Sequence, residues 1–126
     1  MSLVSTYPDV AAIAQAIATG FTTYHSRRNV HGCCRVYVAF GYLDIHELFA
    51  LDKNRRKALR NSRRKTVIQA VNSLGKLYYS HLNEDLQDVL YVGYDNLDGS
   101  AIGQAYAIVD NLASLGVSAS VEYLPD

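Results

Sequence analysis

Apolar residues recur along the chain with two different periods, and the period changes mark the elements. Over 8–25, Val10, Ile13, Ala14, Ile17, Phe21 and Tyr24 repeat at helical spacing, which puts one apolar stripe along a helix. Pro8 suits its first turn, and Asp9 favours the positive end of its dipole. SRRNVHG (26–32) is a loop. Cys34–Phe40 is a near-continuous apolar run, the pattern of a strand covered on both faces. Gly41 turns the chain, and Asp44–Leu51 follows as a short helix. The polar, basic stretch DKNRRKALRNSRRK (52–65) extends or follows that helix.

The segment TVIQAVN (66–72) is open to two readings. Its β-branched residues suit a strand, while Val67, Val71, Leu74, Tyr78 and Leu82 fit a helical stripe. DVLYVGY (88–94) is a second buried strand. DNLDGS is a turn with helix-starting chemistry. Ser100–Leu115 forms a helix with Ala101, Ala105, Ile108, Leu112 and Leu115 on one face, ended by Gly116. In 117–123, Val117, Ala119, Val121 and Tyr123 alternate with Ser118, Ser120 and Glu122. That alternation predicts a half-exposed strand at a sheet edge. Strand, helix and strand over 88–123 form a βαβ unit, which implies a right-handed crossover and parallel strands.

Composition narrows the class. The chain has 126 residues, 49% of them apolar and 19% charged, enough for one compact domain with a real core and too apolar for disorder. No apolar run reaches the roughly 18 residues that cross a bilayer. No basic segment precedes an apolar one at the N-terminus, so neither a signal peptide nor a membrane partner is expected, and the expected location is cytoplasmic. Cys33 and Cys34 are adjacent. They form no zinc set of the paired CxxC kind and read as two buried thiols entering a strand.

Charge is balanced in sum and divided along the chain. Residues 1–76 hold all twelve Lys and Arg with only four acids, and residues 77–126 hold eight acids with no Lys or Arg. Lys53, Arg55, Arg56, Lys57, Arg60, Arg63, Arg64 and Lys65 put eight cations into thirteen residues. Such a cluster repels itself unless something anionic compensates. Nucleic-acid phosphates, whether of DNA or RNA, are the expected partner, with counterion release as the drive. A homo-oligomer joined through basic and acidic faces is the alternative use of the same asymmetry.

The order of segments adds a resemblance. VYVAFGYLDIHELFAL (36–51), VNSLG (71–75), VLYVGYDNLDGSAIGQAYAIVDNL (89–112) and VSASVEYLPD (117–126) occur in sequence. Together they resemble the motifs of Toprim domains, the shared core of bacterial-type primases and topoisomerases. The resemblance covers 33–126, with a basic insertion at 52–65 and an N-terminal helix and loop over 1–32. It implies a single α/β domain with a mostly parallel, Rossmann-like four-stranded sheet flanked by helices. It also favours the strand reading of 66–72.

The family's general acid/base glutamate falls on Phe40 here, which neither transfers a proton nor binds a metal. The first aspartate of its Asp-x-Asp pair falls on Asp95, and the second on Leu97, with Asp98 one place later. Asp95, Asp98 and Asp44 are thus the candidate Mg²⁺ ligands. The competing role of Asp95 and Asp98 is to cap a helix and shape a turn. Gly99, Ser100 and Gly103 offer close backbone access at a helix N-terminus, either to a phosphate or to packed backbone.

Tyr42, Tyr78, Tyr79 and Tyr94 lie near predicted element ends, where they either stack on bases or pack. The four histidines show no ligand spacing, and no residue is assigned a catalytic role. The expected function is a nucleic-acid-binding module of replication or topology type, catalytically weak or inactive. The alternatives are a metal-dependent nuclease or nucleotidyl transferase with a rebuilt aspartate site, and a non-enzymatic interaction or sequestering protein.

Overall fold

A computed structural model describes residues 10–40, 52–55, 57–58, 69, 72–73, 80–82 and 88–125. Its elements are α1 (Val10–Thr22), β1 (Cys34–Phe40), β2 (Ser80–Leu82), β3 (Asp88–Asp95), α2 (Ser100–Ser114) and β4 (Ala119–Pro125). The apolar stripe of α1 is realised: Ile13, Ile17 and Phe21 are buried. The helix ends at Thr22, short of His25, where the Thr22 and Thr23 hydroxyls and the Thr23 N–H all donate to the Thr19 carbonyl.

Helix α2 ends as its glycine predicts. Gly116 takes φ 82°. Its N–H donates to the Ala113 carbonyl, and the Val117 N–H to the Leu112 carbonyl, both at 2.9 Å. That bond pair is a Schellman motif, and the buried Val117 and Leu112 side chains complete it.

The sheet corrects the expected architecture. Its order is β2-β3-β1-β4, and every neighbouring pair is antiparallel. The three long strands β3, β1 and β4 form its body, and β2 adds a three-residue edge. It is therefore not the mostly parallel, Rossmann-like sheet that the Toprim resemblance implies.

The βαβ reading of 88–123 fails in one specific way. β3 and β4 do run in the same direction, because both are antiparallel to β1. However, β1 lies between them, so they never pair. β1 and β2 stand in the same relation around β3. Two interleaved units of this kind make the split βαβ arrangement of ferredoxin-like sheets. Hydrophobic periodicity does not record which strand lies beside which, so both arrangements satisfy the same pattern.

The ends of the predicted elements shift slightly. β4 runs over Ala119–Pro125, with Val121 and Tyr123 against the core, Ser120 and Glu122 exposed, and the strand at the sheet edge as its alternation predicts. At the described positions of 66–73 the helical reading holds. Gln69 and Asn72 are helical, and the Ser73 N–H donates to the Gln69 carbonyl at 3.1 Å. Within the basic segment, residues 53–55 and 57–58 are helical. The Asp52 carboxylate accepts the Arg55 N–H at 2.8 Å and caps that start.

Among the described residues, the main core cluster lies on one side of the sheet. Val36, Val38, Phe40, Leu90 and Val92 pack with Ile13, Ile17 and Phe21 of α1 and with Ile102, Ala105, Ile108 and Leu112 of α2. The two helices meet at backbone distance. A Cβ placed on Gly20 would lie 2.4 Å from Ile108 Cγ1 and 2.9 Å from its Cα. Two side-chain amides tie the pair across the seam. Asn111 donates to the Ala16 carbonyl at 3.2 Å, and Gln104 to the Phe21 carbonyl at 3.3 Å. Among the described residues no helix is long and apolar enough to cross a membrane.

Candidate nucleic-acid interface

Strand register decides which side chains share the face turned away from α1 and α2. In an antiparallel pair, directly opposed residues project to the same side. Val38 opposes Leu90, and both are core residues; Tyr37 opposes Tyr91 and Glu122, so these three share the other side. Arg35 opposes Tyr94 and Leu124 on that same side.

A bulge makes this register possible. Between Val36 and Tyr37 the pairing jumps from Gly93 to Tyr91, leaving Val92 as the extra residue of β3. Tyr91 and Tyr94, three apart in sequence, thereby face the same way.

The outer face therefore carries Arg35, Tyr37, Tyr91, Tyr94, Glu122 and Leu124. The Tyr37 and Tyr91 rings lie 5.3 Å apart, centroid to centroid, with their planes at 51°. Arg35 and Glu122 are exposed, and Tyr94 and Leu124 each keep 44% of their surface. The face closes in the other direction, at the fully buried Ala39 and nearly buried Val89. Between the open and closed ends lies a cavity of about 230 Å³, lined by Tyr37, Val89, Glu122, Tyr123 and Leu124. Planar rings, one guanidinium and one carboxylate on one sheet face can stack on planar groups, neutralise phosphate and accept from amines.

In the basic tract, Lys53, Arg55 and Lys57 are exposed. Arg55 also makes a surface ion pair with Asp52 at 3.5 Å, a contact worth little in solvent. Arg56, Arg60, Arg63, Arg64 and Lys65 lie outside the described residues, as do Asp44, Tyr42, Tyr78 and Tyr79.

Two aspartates of the candidate metal set, Asp95 and Asp98, make local hydrogen bonds. Asp95 is completely buried at the end of β3. One carboxylate oxygen accepts the Asn29 amide at 2.7 Å and the Gly99 N–H at 3.1 Å; the other accepts the Ile102 N–H at 3.1 Å. Burial alone would raise its pKa. The hydrogen bonds from Ile102, Asn29, Gly99 and Ala101 outweigh that penalty and hold it below the ordinary carboxylate value.

Asp95 thus joins the loop at Asn29 to the first turn of α2. Asp98 is exposed and accepts the Ser100 N–H and hydroxyl. Antiparallel pairing also sets Asp95 opposite Cys34, at the start of β1, while Phe40 at its far end opposes Asp88. Six residues of strand, roughly 20 Å, separate Asp95 from the exit toward Asp44. Among the described residues no group of three His, Cys, Asp or Glu side chains is arranged to hold a metal ion.

The glycine-rich start of α2 is filled by backbone. The Arg27 N–H donates to the Gly99 carbonyl at 3.0 Å. Gly99 has φ 75°, and a Cβ there would lie 1.8 Å from the Arg27 carbonyl oxygen. A Cβ on Gly103 would lie 2.2 Å from the His25 carbonyl oxygen. These glycines admit the 25–27 loop, which occupies the space a phosphate would need.

The remaining chemistry at this end is structural. The Tyr123 hydroxyl donates to the Tyr106 oxygen at 3.0 Å, and burial, then that bond, raises the Tyr123 pKa. His31 stacks on Tyr123 at 3.9 Å, and Arg27 lies over the Tyr106 ring at 4.2 Å. Cys34 is fully buried, and its thiol pKa is raised by that burial and then by Asp95 and Cys33. Cys33 is half-buried, with its thiol 3.2 Å from the Asn96 side-chain oxygen.

Of the outer-face residues, only Tyr94 stood out in the sequence. The missed signal was Arg35 and Tyr37 at alternate positions of a run otherwise read as buried on both faces. No protein-family model matches the chain, and no curated protein and no solved structure is significantly similar to it.

Proposed function

We propose that the protein binds single-stranded nucleic acid on the outer face of its sheet. One observation carries this reading: Tyr37, Tyr91 and Tyr94 share that face with Arg35. Aromatic rings on a sheet stack unpaired bases, at about 1–3 kcal/mol per base. RNA-recognition domains use a four-stranded sheet in this way; that likeness is an analogy of architecture, and the side chains carry the argument.

The cationic tract from Lys53 to Lys65 supports the same reading, because it supplies phosphate neutralisation that three tyrosines and one arginine do not. A role of replication type rested on the Toprim resemblance, whose parallel sheet is absent, so the reading is confined to binding. The test is titration of labelled single-stranded DNA and RNA across a salt series. Affinity falls linearly with salt on logarithmic axes, and Tyr37→Ala and Tyr91→Ala each weaken it about tenfold. Binding that ignores both salt and these residues would refute the reading.

Self-association is a second reading, favoured by a separate observation. Val30, Leu97, Tyr94 and Leu124 are exposed by 71, 62, 44 and 44%. Tyr94 and Leu124 lie at the end of the sheet where β1 begins and β3 and β4 finish, and Val30 and Leu97 belong to the loops entering β1 and leaving β3. Leu97 is held there at φ 73°. Exposed apolar residues gathered near one sheet end suit a docking surface. Sedimentation of the wild type and Leu97→Asp tests it: an oligomer that dissociates in the variant supports it, and a monomer in both removes it.

A further inference from the structure

Glu122 is an anomaly on a surface read as binding a polyanion. It opposes Tyr37 in the β1–β4 ladder, and the two side chains line the same cavity with Leu124 and Val89. Directly opposed residues hold their Cβ atoms about 4.5–5.5 Å apart. Among the described residues no Lys or Arg forms an ion pair with Glu122. Arg35, one step along on the same face, opposes Leu124. A carboxylate here repels phosphate, so a face for phosphate alone would be better without it.

A carboxylate beside a stacking ring suits a different group. A base lying on Tyr37 turns its edge toward β4, where the Glu122 carboxylate is a hydrogen-bond acceptor. Cytosine, adenine and guanine present an exocyclic amine to such an acceptor; uracil and thymine carry none, and their one edge donor, the N3–H, is flanked by two carbonyl oxygens that a carboxylate repels. Carboxylates accept from the cytosine amine in duplex recognition by the same chemistry. The cavity of about 230 Å³ is smaller than the pockets of roughly 300–1,000 Å³ that enclose drug-sized ligands. It suits one ring at an open mouth.

Resting on the proposed single-strand binding, we infer that Glu122 selects the base stacked on Tyr37, favouring bases with an exocyclic amine over uracil and thymine. Arg35 holds the neighbouring phosphate, and Glu122 reads the base edge.

Cytosine and uracil have the same ring size, so comparing them isolates the amine. The experiment measures the affinity of the full chain at neutral pH for short oligomers of cytidine and uridine, with deoxycytidine and deoxyuridine oligomers as a parallel pair. The wild type binds the cytosine oligomer about tenfold more tightly than the uracil oligomer in at least one backbone. Glu122→Gln and Glu122→Ala bring that ratio to within about twofold, with uracil binding unchanged or tighter.

A carboxylate that acted only by repelling phosphate would behave differently. Its removal would strengthen both oligomers equally and leave their ratio where it was. A wild type that does not discriminate, or variants that keep the ratio, would overturn the inference and leave single-strand binding intact. Failure to bind any oligomer would overturn both.

Discussion

The two faces of the sheet are made from the same three long strands and differ in nearly every physical respect. The inner face presents Val36, Val38, Phe40, Leu90 and Val92 to two helices and is closed. The outer face presents Arg35, Tyr37, Tyr91, Tyr94 and Glu122, and it opens progressively from Ala39 toward Leu124. Apolar contact on the inner side gives the fold its stability, at about 25 cal/mol per Å² buried. On the outer side Arg35, Tyr94 and Glu122 are exposed and add little of that, while Tyr37 and Tyr91 are half-buried. Strands that carry both are a rigid support for a binding surface, and the positions of Tyr37 and Tyr91 are fixed by the core behind them.

That division predicts which measurement each substitution moves. Phe40→Ala removes a fully buried ring from the inner face and destabilises the protein by about 3–5 kcal/mol. Urea unfolding reads this as a lower midpoint, and the fraction that stays folded binds as the wild type does. Gly20→Val drives a side chain into the Ile108 backbone. It costs about 1–3 kcal/mol by overpacking, read the same way and again without a change in binding. A loss of affinity in either variant beyond the loss of folded protein would blur the contrast between the faces.

Asp95 sharpens the same contrast through pH. Its folded pKa lies below the ordinary value, so the unfolded chain takes up the proton first as pH falls. Its contribution is complete above the ordinary carboxylate pKa of about 3.9 and is lost as pH drops through the lower folded value. Unfolding midpoints over an acid series fall less steeply in Asp95→Asn than in the wild type. The smallest effect belongs to the outer face. Arg35→Gln leaves the urea midpoint almost unchanged and reduces the slope of log affinity against log salt by about 0.7–0.9, the share of one phosphate contact.

Much of the fold is legible in the sequence, and the reasons for the misses are specific. α1 and α2 follow from a helical period, β1 and β3 from short apolar runs, and β4 from the alternation over Val117–Tyr123. The direction of pairing is not legible, because β3, α2 and β4 read identically whether β4 lies beside β3 or beyond β1. β2 is three residues long, too short to show a period.

The outer face was hidden by two features. Ala39 and Val89 are buried on it, so β1 and β3 read as apolar on both sides. The bulge at Val92 then sets Tyr91 and Tyr94 on one face at a spacing that period-2 alternation assigns to opposite faces. Asp95 stood out as a candidate ligand because a buried helix cap and a metal ligand ask for the same residue. The hydrogen bonds from Asn29, Gly99 and Ile102 at 2.7–3.1 Å show its capping role, which no sequence pattern displays.

The central claim is that the Tyr37–Tyr91 pair makes the outer face a platform for unpaired bases. Its most direct test is the double variant Tyr37→Ala/Tyr91→Ala, with Tyr37→Leu/Tyr91→Leu retaining bulk and strand propensity, titrated with single-stranded oligomers alongside urea unfolding. Both variants are expected to remain folded and to lose roughly a hundredfold in affinity, about one stacked base for each ring. Folded variants that bind as tightly as the wild type would contradict the account.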